Sequence, residues 1–103
     1  MIPEYIKERL KKNWGDKADS LDCVAELKYI DPLSGWSCYI YAMNPENEDH
    51  ICCFAPDSKT NIFEWSFAEL LACYNRNGEN PTLDPEYRRT RVTTLLKRFD
   101  NDA

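Results

Sequence analysis

Residues 23–55 read CVAELKYIDPLSGWSCYIYAMNPENEDHICCFA, and the reading of this stretch decides the fold. Cys23, Ala25, Leu27 and Tyr29 recur at every second position, the period of a strand with one face buried. Asp31 to Gly35 (Asp-Pro-Leu-Ser-Gly) supplies turn chemistry, and Trp36 to Met43 then predicts a second strand. Asn44 to Asp49 reads as a polar turn. Ile51 to Ala55 is apolar without interruption, which suits a central strand covered on both faces. Pro56 to Thr60 is another turn, and Asn61 to Trp65 a fourth strand. Consecutive strands joined by short turns pair antiparallel, so the expectation is a four-stranded β-meander.

Helices flank the meander. Pro3 suits a helix start, where a missing N–H costs nothing. Ile2, Ile6, Leu10 and Trp14 fall every four residues as a narrow apolar stripe, and Gly15 offers a stop. On the other side, Ser66-Phe67-Ala68-Glu69 is a capping box, which predicts a helix from about Phe67 to Tyr74. Phe67, Leu70, Leu71 and Tyr74 would share one face of it. Asn75 to Pro81 is a loop. Thr90, Val92, Thr93 and Thr94 are poor helix formers, so an extended stretch near Arg88–Arg91 is expected to precede a short helix from about Thr93 to Phe99. The predicted architecture is one α+β domain over residues 1–103, with one or two C-terminal helices packed on the sheet.

Composition narrows the function classes. With 43% hydrophobic residues, 13% aromatics and only 3 glycines, an ordered core is expected rather than a disordered tail. The net charge of −5 argues against a nucleic-acid binder that relies on overall positive charge. That charge is unevenly spread: residues 1–14 and 85–103 are each +2, and residues 15–84 carry −9. The N-terminal stretch has charges every few positions, unlike an export signal, and no apolar run is long enough to span a bilayer. A cytoplasmic protein with reduced cysteines and no membrane partner is expected. Cys23, Cys38, Cys52, Cys53 and Cys73 form no Cys-x-x-Cys pair and read as small apolar side chains.

Few residues offer chemistry. His50 and Cys52 would share a strand face, with Cys38 or Cys53 near, but a structural zinc site needs four ligands in tight pairs, so no metal or other cofactor is expected. A single histidine beside Glu48 and Asp49, with no nucleophile elbow or phosphate-binding glycine loop, leaves a catalytic site unfilled. The acids Glu46, Glu48 and Asp49, with Trp36 and Tyr39 as aromatic anchors, are the candidate partner-binding residues. Arg88, Arg89 and Arg91, followed by Lys97 and Arg98, are the alternative: a cluster that could contact phosphates.

The order of motifs, with GWSCYIY (35–41), WSFAELLACY (65–74) and LDPEYRRTRV (83–92), resembles a domain-of-unknown-function family of roughly hundred-residue bacterial, phage and plasmid proteins. The chain departs from that pattern in its glycine-poor turns at Ala55–Asn61 and after the second helix. The resemblance brings no active-site residues. It implies an accessory protein of a mobile element, and with the acidic body it points to a non-catalytic binding protein that docks on a larger host protein or protein–nucleic-acid complex. An inhibitor of a host defence or nucleic-acid-handling system is its most concrete form. On that reading, reversing the charges of Glu46, Glu48 and Asp49 together should weaken docking.

Overall fold

The computed structural model describes residues 2–56 and 62–100. Most of the turn expected at Pro56–Thr60, and the first residue of the fourth strand, Asn61, lie outside them.

The chain runs α1 (Glu4–Asn13), α2 (Asp16–Ser20), β1 (Val24–Ala25), β2 (Leu27–Ile30), β3 (Ser37–Asn44), β4 (Asn47–Phe54), β5 (Ile62–Ser66), α3 (Phe67–Ala72), β6 (Thr82–Leu83), β7 (Thr90–Arg91) and α4 (Val92–Asp100). The expected meander is present as β2 to β5, every neighbour antiparallel. It is larger than four strands, because β6 pairs with the outer edge of β2 and gives the order β5-β4-β3-β2-β6. A separate ribbon joins β1 to β7. Strands of two residues carry no readable period, which is why the sequence does not announce them.

The sheet is the middle of three layers. Leu27, Tyr29, Cys38, Ile40, Ile51 and Cys53 point to one face, where Ile2 and Leu10 of the N-terminal segment and Leu70 of α3 cover them. Tyr39, Tyr41, Cys52 and Phe54 point to the other, under Ala18 of α2, Ala25 of β1 and Val92 and Leu95 of α4. Both faces being covered explains why Ser37 to Met43 and Ile51 to Phe54 are buried without alternation. A bulge shifts the register between Ile40 and Ala42 and places Tyr41 and Ala42 together in one core. The Tyr41 carbonyl accepts from Asn13 Nδ2 at 2.9 Å, which ties the end of α1 to the bulge.

The four-residue stripe of α1 advances faster than the 3.6-residue helical turn, so it drifts around the axis. Ile2, Ile6 and Leu10 stay on one core, while Trp14, where the helix gives way to extended backbone, packs with the other. Gly15, at φ +95, turns the chain round the end of the sheet into α2. Nothing in the sequence pattern predicts that helix, because five polar-rich residues show no apolar stripe.

Two further boundaries differ. The turn read as Asn44–Asp49 shrinks to Pro45 and Glu46, because Asn44 pairs with Asn47 and its side-chain oxygen accepts from the Glu46 N–H at 2.9 Å. The helix read as Phe67–Tyr74 stops at Ala72; Cys73 is already extended, and Tyr74 leaves the core for solvent. The last helix starts at Val92 as the apolar spacing of Val92, Leu95 and Phe99 demands, with Thr93 and Thr94 exposed.

Candidate functional site

At the end of the sheet where β2 passes into β3 lies a groove of about 320 Å³. Its floor is Trp36 and Trp65, whose rings meet edge to face at 6.2 Å. One wall is the chain after α3, with Cys73, Tyr74 and Pro81. Tyr74 is 77% exposed, the most open of the exposed large apolar side chains, and Leu33, Leu71 and Leu83 are also exposed.

The groove owes its shape to Asp31 and Asn75. Asp31 ends β2 and folds its turn on itself: its carboxylate accepts from the backbone N–H groups of Leu33 and Ser34, and from the Ser34 hydroxyl at 2.5 Å. Asn75 donates to the same carboxylate at 2.6 Å, across 44 residues of sequence. The Asn75 side-chain oxygen accepts from the backbone N–H groups of Asn77 and Glu79, so one amide both shapes its own loop and pins it to the sheet. Donation by the Ser34 hydroxyl and the Asn75 amide, with the two backbone N–H groups, holds the Asp31 carboxyl down at about 2. It therefore stays ionised at the groove rim, with Glu79 beside it. Trp65 donates its indole N–H to Glu69 at 3.0 Å, so that carboxylate binds the floor rather than reaching back to complete the capping box.

Of the partner residues expected from the sequence, only Trp36 lies here. Tyr39 is a correction: it is 4% exposed, packed against Phe54, Tyr87 and Phe99 in the core, and offers no contact surface. Glu46 and Glu48 stand at the hairpin at the far end of β3 from Trp36, and Asp49 bonds Ser66 next to Trp65, but none of the three lines the groove. Glu46 is exposed on the hairpin turn. Glu48 is held by Lys7 at 3.0 Å and Lys11 at 2.5 Å, which depress its carboxyl below the usual range. Asp49 accepts from the Ser66 hydroxyl at 2.5 Å and the Ala68 N–H at 2.8 Å, bracing the start of α3. Glu48 is thus ion-paired and Asp49 hydrogen-bonded by the protein's own groups, while both remain at the surface.

His50 and Cys52 do share a sheet face, but His50 Nε2 lies 2.5 Å from Glu64 Oε1 and its ring packs against Trp14. Among the described residues no group of three or more histidine, cysteine or acidic side chains could hold a metal ion. Cys23, Cys38, Cys52 and Cys53 are buried, and burial pushes the Cys52 thiol up to about 11. Cys73 alone is exposed, on the groove wall. The arginine cluster divides: Arg89 is bound to Glu26, Arg91 to Asp22, and Arg88 is exposed with no side-chain partner among the described residues. No described helix is long and apolar enough to cross a membrane.

Sequence reasoning puts Tyr74 on a helix face and Asn75–Pro81 in a loop, and misses that this segment forms the groove wall. No sequence signal marks this, because the turn string Asn75–Gly78 agrees with a helix reaching Tyr74 and the bond that seats the loop spans 44 residues.

No family model matches the chain, and no curated protein or solved structure is significantly similar to it.

Proposed function

We propose that the protein is a non-catalytic binding module whose Trp36–Trp65 groove takes a basic, apolar-bearing segment of a larger protein. The observation that carries this reading is an aromatic floor opening to solvent beside a carboxylate held ionised. Trp and Tyr are the side chains that most often anchor interfaces, because they bury large area at small entropic cost. The acidic rim of Asp31 and Glu79 favours Lys or Arg next to the inserted side chain. A non-catalytic role is supported by the state of the reactive groups: His50 is engaged by Glu64, and the Cys52 thiol is held protonated. The basic partner surfaces of nucleic-acid-handling complexes fit this groove, and an inhibitor that occupies such a surface is the activity proposed.

Selection of short random peptides on the immobilised protein tests the reading. Enrichment of Lys or Arg beside an aromatic or aliphatic residue is expected. Trp36→Ala should weaken the selected peptides at least about 30-fold, the effect of losing a hot spot of about 2 kcal/mol. The combined reversal Glu46→Lys, Glu48→Lys, Asp49→Lys should cost stability while leaving peptide affinity of the folded protein within a few fold. Enrichment of acidic peptides, or equal binding by Trp36→Ala, would overturn the proposal.

A further inference from the structure

The two basic ends of the chain meet in space. α1 and α2 border the β1–β7 ribbon around an open cleft of about 300 Å³. Arg9, Lys12, Lys17, Arg89 and Arg91 line it, against only two acids, Asp22 and Glu26. The local balance is +3 in a molecule whose net charge is −5. Burial pushes the Cys23 thiol in the cleft wall up to about 11, so it stays neutral and adds no opposing charge.

Glu26 is what makes this a site rather than a scatter of surface cations. It is buried, and it accepts from Arg89 Nε at 2.7 Å and Nη2 at 2.8 Å, while Arg9 Nη1 stands 3.5 Å away. The Arg89 guanidinium is therefore already fixed, and a ligand need not immobilise it. The Arg89 side chain remains 53% exposed, and its Nη1 makes no hydrogen bond among the described residues. Lys12 and Lys17 are exposed and join no ion pair among the described residues. A fixed guanidinium with its Nη1 free, and unpaired lysines beside it, suits tetrahedral oxyanions carrying more than one charge. The cleft has no aromatic lining on which a base could stack, so recognition would be of phosphate rather than of sequence.

We propose that this cleft binds phosphate groups, as a phosphodiester strand or a free polyphosphate, at the opposite end of β2 from the Trp36 groove. It corrects the sequence cluster in both directions: Arg88 falls outside the cleft, and Arg9, Lys12 and Lys17, far away in sequence, fall inside. The site is independent of the peptide groove, so either can fail alone.

Fluorescence anisotropy with a labelled oligothymidylate, and competition by tripolyphosphate, test it on the full chain. Binding at low salt is expected, with three phosphate contacts weakening it about 20-fold between 50 and 200 mM salt. The double reversal Lys12→Glu, Lys17→Glu should abolish binding; both side chains are exposed, so folding is retained and circular dichroism checks it. Arg88→Glu should change affinity less than about threefold, as expected for a charge outside the cleft. Displacement by tripolyphosphate at lower concentration than by unlabelled strand assigns the site to free polyphosphate, and the reverse order assigns it to the strand; both support the cleft. Absence of binding at low salt, or equal loss from Arg88→Glu and from the lysine reversal, overturns it.

Discussion

Glu26 joins three segments that are distant in sequence. Its backbone N–H donates to the Ile40 carbonyl at 2.9 Å, and its carboxylate holds Arg89 in a two-pronged bond with Arg9 alongside. The two sides of this clamp are unequal. Glu26 is buried, whereas the arginine side chains are about half exposed and can be rehydrated. Arg89→Ala leaves a buried carboxylate short of its main partner and is expected to cost about 3 kcal/mol. Glu26→Gln leaves two cations that water can reach and should cost only about 1 kcal/mol. Urea unfolding of both variants checks the order. A larger loss in Glu26→Gln would mean the carboxylate is not the group that depends on the pair.

At the scale of elements, α3 shows how one strand residue sets the start of a helix. Ser66 Oγ accepts from the Glu69 N–H at 3.2 Å as the N-cap, and Asp49 of β4 takes the Ser66 hydroxyl and the Ala68 N–H. These bonds favour the charged form of Asp49 and hold its carboxyl below its ordinary value. A carboxyl depressed in the folded state stabilises it above the unfolded value, near 4, and loses that contribution as pH falls through the folded value. Stability of the wild type should therefore drop more steeply than that of Asp49→Asn as pH falls below about 4. Parallel urea midpoints for the two would contradict the double cap. Local chemistry of this kind is legible in sequence: the Ser66 cap, the α1 stripe and the strand periods all rest on near neighbours. The 73–81 wall was not legible, because its position rests on one bond between Asp31 and Asn75, 44 residues apart. Nor could charge counting reveal that Glu48 sits between Lys7 and Lys11, 41 and 37 residues away.

The whole molecule is a sheet covered on both faces, with chemistry of opposite sign at the two ends of β2. One end opens an aromatic groove beside Asp31; the other gathers five cations round Glu26. The acidic excess read in the middle of the chain is partly consumed in ion pairs to α1 and in capping α3, and of the remaining acids Asp31 and Glu79 lie at the groove rim. The proposed binding role stands or falls with that groove as the contact surface. Nuclear magnetic resonance of the isotope-labelled protein, titrated with a short peptide alternating arginine and leucine, tests it most directly. The Trp36 and Trp65 indole N–H signals should shift on addition while the Arg9 and Arg89 Nε–H signals stay in place; unmoved indoles, with shifts clustered on any other surface, would contradict it.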